Sequence, residues 1–123
     1  YGADQTRAFN HIDDAVNGTV LAMEKGGNGE IYHIGTQEEI TIKELIQYTG
    51  ELMGFKGEYI DAPTYPGSVA RRCPDISKAK KDLGYEPKVS WKDGLKDTIN
   101  WYVDYLDKNK DLHESFYDNK KSK

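Results

Sequence analysis

The sequence holds one cysteine, Cys73, and carries no excess of positive charge. A single cysteine excludes an internal disulfide framework. Lys and Arg total 17 against 21 Asp and Glu, for a net charge of −4. That balance lacks the basic footprint of a nucleic-acid binder, and no nucleic-acid partner is expected. Lys78, Lys80 and Lys81, and the tail residues Lys120, Lys121 and Lys123, are interleaved with acids and read as solvated surface. No apolar run is long enough to span a bilayer, and no N-terminal signal pattern is present. The expectation is therefore no membrane partner and a cytoplasmic location. His11, His33 and His113 are widely spread, and Cys73 sits in no C-x-x-C spacing, so no metal site is expected. There is no internal repeat and no low-complexity tract. The chain does not start with Met, which fits an excised piece.

What is present suffices for one modest domain. The chain has 123 residues, 37% of them hydrophobic and 31% charged. Such numbers allow a small core under a well-solvated surface. Arg7 to Asn10 reads as a short strand. Ile12, Ala15, Val16, Thr19, Val20 and Met23 recur at helical spacing, and Asp13 and Asp14 favour that helix start. Gly26-Gly27-Asn28-Gly29 stops it. Glu30 to Ile34 reads as a strand. Thr41 and Glu44 form an S/T-x-x-E capping box before the apolar face of a second helix. Gly54 ends that helix, and Glu58 to Ile60 reads as a strand. Strand, helix, strand predicts that Glu30–Ile34 and Glu58–Ile60 run parallel as neighbours.

Asp61 to Pro74 holds three of the four prolines and reads as an irregular surface loop. Asp75 opens a short helix and Gly84 closes it. Ser90 and Asp93 start a long final helix, whose stripe of Trp91, Leu95, Thr98, Ile99, Tyr102, Tyr105 and Leu106 should be buried. The expected fold class is α/β: a small lobe with a short parallel strand pair, about four helices and long loops. Residues 1–107 form the lobe, and 108–123 form a polar C-terminal tail expected to be partly frayed.

Arginine is the residue type with the clearest chemical message. Arg7 lies in Gln5-Thr6-Arg7-Ala8-Phe9. Arg71 and Arg72 lie in Arg71-Arg72-Cys73-Pro74-Asp75-Ile76-Ser77-Lys78-Ala79-Lys80, followed by Leu83-Gly84-Tyr85-Glu86-Pro87. Guanidinium forks suit bidentate recognition of phosphate or carboxylate. The bland alternative is ordinary surface charge, or pairing with Asp13, Asp14 or Asp75. Gln5 reads equally as a hydrogen-bonding ligand contact and as a turn residue. Tyr1 offers a face on which a base stacks, or a loose end. Asp13 and Asp14 read as helix-start acids rather than as a catalytic pair.

These motifs, from Tyr1 to about Leu106, resemble the C-terminal half of an extended short-chain dehydrogenase/reductase acting on nucleotide sugars. Among these enzymes the chain is most similar to UDP-glucuronate decarboxylases, with dTDP-glucose 4,6-dehydratases and UDP-sugar 4-epimerases further off. Epimerase-like members tend to carry arginine about where Tyr65 stands in Tyr65-Pro66-Gly67, which favours the decarboxylase or dehydratase pattern. The resemblance implies that Arg7 and Arg71 hold the diphosphate of a nucleotide sugar, a UDP-sugar first. Arg72 matches only the double-arginine versions. Gln5 and Tyr1 are further substrate-site candidates.

By the same resemblance, a longer parent oxidises C4 of the sugar with bound NAD, and the 4-keto group activates the next step. Its N-terminal Rossmann half would supply a G-x-x-G-x-x-G fingerprint and a Tyr-x-x-x-Lys pair. The fingerprint is absent here, and Gly26, Gly27 and Gly29 precede an expected strand rather than follow one. No tyrosine from Tyr1 to Tyr105 has lysine four residues on, and Tyr117 and Lys121, which have that spacing, lie in the tail beyond the resemblance. The expected function is thus a substrate-binding lobe, not catalytic by itself, with no cofactor site and no catalytic residue of its own. Its expected partners are the missing Rossmann domain or, by self-association, a second copy. The competing expectation is a stand-alone, non-catalytic binding module.

Overall fold

The structure, a computed structural model, describes residues 1–109. Its elements in chain order are β1 (Thr6–Ala8), α1 (Ile12–Lys25), β2 (Glu39–Thr41), α2 (Ile42–Leu52), β3 (Arg71–Arg72), α3 (Ser77–Leu83) and α4 (Trp91–Lys108). The three strands form one mixed sheet in the order β2-β1-β3. β1 is antiparallel to β2 and parallel to β3. An α/β lobe with four helices, a short parallel pair and long connections is therefore present. Of the expected tail, residues 110–123 lie outside the described residues.

The parallel pair is not the one the sequence suggests. Neither Glu30–Ile34 nor Glu58–Ile60 forms a strand among the described residues. Glu30–Ile34 is extended and alternates: Tyr32 and Ile34 pack on the core, while Ile31 is exposed. Among the described residues no neighbouring backbone completes a ladder with it. After α2, Gly54 adopts φ 65° and turns the chain. Tyr59 then folds back onto the helix, its hydroxyl donating to Ile46 O at 3.4 Å, and Ile60 is left 90% exposed. The return strand comes later, at Arg71–Arg72, inside the stretch that reads as loop.

Local signals elsewhere hold. Thr41 Oγ1 accepts from Glu44 N–H at 3.0 Å, and Glu44 Oε2 accepts from Thr41 N–H at 2.8 Å, closing the capping box. At α3 the N-cap position is Ile76 and not the expected Asp75, which stands one residue earlier and accepts from Ser77 N–H through Oδ1 at 2.9 Å; Gly84 ends the helix with φ 69°. Ser90 Oγ accepts from Asp93 N–H at 3.2 Å at the head of α4. Asp14 is buried and accepts from the backbone N–H groups of Lys88 and Val89, both at 3.0 Å. It ties the α3–α4 connection to α1, which is a structural role.

The core is small. Ile76, Ala79, Leu83 and Tyr85 are buried, with Leu21, Ala22, Tyr32 and Ile34 packed around them. The Tyr85 hydroxyl donates to Gly35 O at 2.8 Å, and burial pushes its pKa up. Gly18 lets α1 come close: a Cβ there would meet the Ile34 side chain and lie 2.9 Å from Tyr85 Cε2.

Helix faces depart from expectation in an informative way. Ile12, Val16, Val20 and Met23 of α1 are exposed, and the opposite face, with Asp14, Gly18, Leu21 and Ala22, meets α3 and Tyr85. In α4, Trp91, Leu95, Ile99 and Leu106 are partly covered, but Tyr102 and Tyr105 are exposed. The stripe is thus covered only in part, with α2 as the helix packed against α4. No helix among the described residues is long and apolar enough to cross a membrane.

Candidate functional site: an arginine-lined depression beside the sheet

Arg7 sits on the central strand, and Arg71 and Arg72 make up β3. In the parallel pairing Thr6 is opposite Arg71, and Arg7 is opposite Arg72. Residues in register share a face, and successive residues alternate faces. The three arginines nevertheless border one shallow, open depression of about 550 Å³, together with Ala8, Cys73 and Pro74. Residues more than sixty positions apart are thereby brought together by the β1–β3 pairing.

Each guanidinium has a different environment. Arg7 is half-buried. Its Nη1 donates to Thr6 O at 2.7 Å, and its Nη2 donates to Gln5 Oε1 at 3.1 Å and to Val69 O at 3.0 Å. Arg71 is exposed, yet its Nε and Nη2 both donate to Glu39 Oε2, at 3.0 and 2.7 Å. The other oxygen, Glu39 Oε1, accepts from the Thr6 hydroxyl. Arg72 is exposed, and no side-chain hydrogen bond or ion pair engages it among the described residues. None of the three pairs with Asp13, Asp14 or Asp75.

Gln5 is the hub of the neighbouring loop. Its Nε2 donates to Thr64 Oγ1 at 2.7 Å, and its Oε1 accepts from Arg7 and, at 3.0 Å, from Ser68 Oγ. Thr6 N–H donates to Ala70 O at 2.9 Å. The proline-containing loop is thus stitched to the strand that carries Arg7. Tyr1 lies away from the arginines. It packs on Tyr65 with ring centroids 4.8 Å apart and borders a cavity of about 480 Å³ with Lys43, Ile46, Tyr59 and Ile60.

The sequence reading missed Glu39. Its signal was available: Glu39-Ile40-Thr41 alternates polar and apolar just before the capping box, as a half-buried strand does. The Thr6 hydroxyl, and then the Arg71 guanidinium, hold the Glu39 carboxyl below its ordinary pKa of 4.5. A depressed folded value means that ionised Glu39 favours the fold above the unfolded pKa. That contribution is lost as pH falls through the lower folded value. We expect an NMR titration of the Glu39 carboxyl to show a midpoint below 4.5, and Arg71→Ala to raise it. A midpoint unmoved by Arg71→Ala would refute the pairing.

The glycines at the end of α1 do not fit a dinucleotide. Gly26 N–H donates back to Ala22 O at 3.0 Å, so these glycines close a helix instead of opening one onto a pyrophosphate. Among the described residues no cluster of His, Cys, Asp and Glu is arranged to hold a metal ion.

Residues 1–98 match the family described as GDP-mannose 4,6 dehydratase. The UDP-N-acetyl-alpha-D-glucosaminuronate decarboxylase of Bacillus cytotoxicus is 38% identical over 104 residues, covering 80% of this chain and 32% of that protein. A crystal structure of UDP-glucose 4-epimerase from Thermotoga maritima with UDP-glucose superposes with a TM-score of 0.79 at 36% identity, over 85% of this chain and 33% of that one. UDP-glucuronic acid 4-epimerase from Bacillus cereus, in complex with UDP-glucuronic acid and NAD, gives 0.69 at 38% identity, over 76% and 31%. The chain spans about a third of the length of these relatives. With most of its length matched from the first residue, the chain belongs to the GDP-mannose 4,6 dehydratase family, among the extended short-chain dehydrogenases/reductases that include NAD-dependent nucleotide-sugar epimerases, dehydratases and decarboxylases.

Proposed function

We propose that residues 1–107 are the substrate-binding lobe of a longer NAD-dependent nucleotide-sugar decarboxylase, dehydratase or epimerase, and that the arginine depression takes the diphosphate of a UDP-sugar. The observation that carries this reading is the meeting of Arg7, Arg71 and Arg72 at one open depression. With Glu39 included, the local charge is about two positive, which suits the two negative charges of a sugar-linked diphosphate. Structural neighbours solved with UDP-glucose and with UDP-glucuronic acid support a UDP-sugar. Gln5 and Tyr1 stay in this reading as positioning groups, Gln5 by shaping the loop and Tyr1 by offering a ring at the neighbouring cavity.

The lobe's contribution to catalysis is then positional. Binding energy from a group remote from the reacting carbon holds the sugar in a reactive pose. The nicotinamide site and the proton-transferring groups are assigned to the rest of the protein, because the glycines present here do not cradle a pyrophosphate. The exposed stripe of Ile12, Val16, Val20 and Met23 supports docking of further protein there, or a second copy of the chain.

Titration of the chain with UDP and separately with NAD, followed by NMR of backbone and arginine side-chain signals, tests the reading. UDP is expected to shift backbone signals of the strands that carry Arg7 and Arg71–Arg72, with at least one arginine side chain responding, and NAD to produce no stoichiometric complex at micromolar concentration. Tight NAD binding, or UDP-induced shifts confined to another surface, would overturn it.

A further inference from the structure

Glu39 is the acid that engages Arg71, and its contacts bridge the whole sheet. It stands on edge strand β2, takes the Thr6 hydroxyl from the central strand, and takes two N–H groups of Arg71 from the opposite edge. The register explains the reach. Glu39 pairs with Ala8, Thr6 lies two residues back along the same strand, and Arg71 is opposite Thr6. All four share one face by alternation. Arg7, Ile40 and Arg72 fall on the alternate positions. β3 is only two residues long, and so short a strand is weakly held by its own ladder. The Arg71–Glu39 contact is the side-chain link between β3 and the far edge of the sheet. It also occupies Arg71, which leaves Arg72 as the guanidinium of the pair without a protein acceptor among the described residues.

Resting on the diphosphate reading above, we propose that Glu39 is a positioning residue of the phosphate site: by clamping Arg71 across the sheet it holds β3 in the register that presents Arg72, beside Arg7, to the ligand. Arg71 is then a strut and Arg72 the ligand fork. The arrangement also offsets one of three neighbouring positive charges, which reduces their mutual repulsion in the empty site. Exposed ion pairs contribute little to stability, so the consequence of the clamp is placement of Arg72 rather than folding.

The test uses the 123-residue chain with UDP as probe, reading affinity and the Nε–H signals of Arg71 and Arg72 by NMR. Arg72→Ala is expected to weaken UDP binding about ten- to a hundredfold. In the unmodified chain UDP should move the Arg72 signal and leave that of Arg71 on Glu39. Glu39→Gln should weaken UDP binding in the Arg72 background and have no further effect once Arg72 is Ala. That dependence is one a merely structural role would not produce. The exchanged pair Glu39→Arg with Arg71→Glu should restore binding lost in either single variant. Loss of the Arg71–Glu39 contact on UDP binding, with the Arg71 signal following UDP, would overturn the clamp while leaving the diphosphate reading intact. So would equal losses from Glu39→Gln with and without Arg72. No response of any of the three arginines to UDP would overturn the diphosphate reading, and the clamp with it.

Discussion

Leu83→Ala is expected to destabilise the fold by about 2–5 kcal/mol, the range for truncating a fully buried leucine. Leu83 is 1% exposed and packs with Ile76, Ala79 and Tyr85 against Leu21, Ala22, Tyr32 and Ile34. Helix α3 has only seven residues, too few to persist without tertiary contacts. Its attachment to α1 rests on this cluster. Single domains of this size hold about 5–15 kcal/mol in all, so one core truncation removes a large share. Urea denaturation followed by circular dichroism measures it. The midpoint should fall with little change in slope. A loss under about 1 kcal/mol would mean that the cluster is not the core.

Arg7→Ala is expected to weaken binding of a UDP-sugar by about 1.5–3 kcal/mol, the range for hydrogen bonds to charged groups, or about ten- to a hundredfold in affinity. Stability should also fall, by about 1–2 kcal/mol, because the side chain supplies hydrogen bonds to Gln5 and Val69 that are each modest. That second effect separates Arg7 from Arg72, whose replacement should leave stability within about 0.5 kcal/mol. Arg7→Lys keeps the charge and loses the fork, so it should recover only part of the affinity. Calorimetric titration beside thermal denataturation resolves the two effects. Unchanged affinity in Arg7→Ala would remove Arg7 from the site and leave it as a loop tether.

Much of the local structure was legible before any coordinates. The Thr41–Glu44 capping box, the glycine stop at Gly84 and the Ser90 start of α4 are decided by hydrogen bonds within a few residues. The chain needs no distant partner to make them. The motif around Gln5 and Arg7, and the one around Arg71 and Arg72, likewise carry the family and point to the phosphate chemistry, because guanidinium geometry is a property of the side chain itself. The Glu30–Ile34 and Glu58–Ile60 readings failed for the converse reason. Strand propensity at those positions is real, but a strand exists only when another backbone lies beside it. Arg71–Arg72 has two charged residues and no strand pattern, and it forms a strand because β1 is adjacent.

The sequence by itself determined most of the helix ends, the family and the arginines as the residues of interest. Each follows from short-range hydrogen bonding, composition or side-chain chemistry. Tertiary structure alone decided which strands pair, which face of α1 is covered, and that Glu39 holds Arg71 while Arg72 stays open. Those outcomes depend on contacts between residues distant in sequence, 32 and 33 positions for the Glu39 contacts to Arg71 and Thr6, and the free energy of such contacts is set by what the rest of the fold brings alongside, not by the residues themselves.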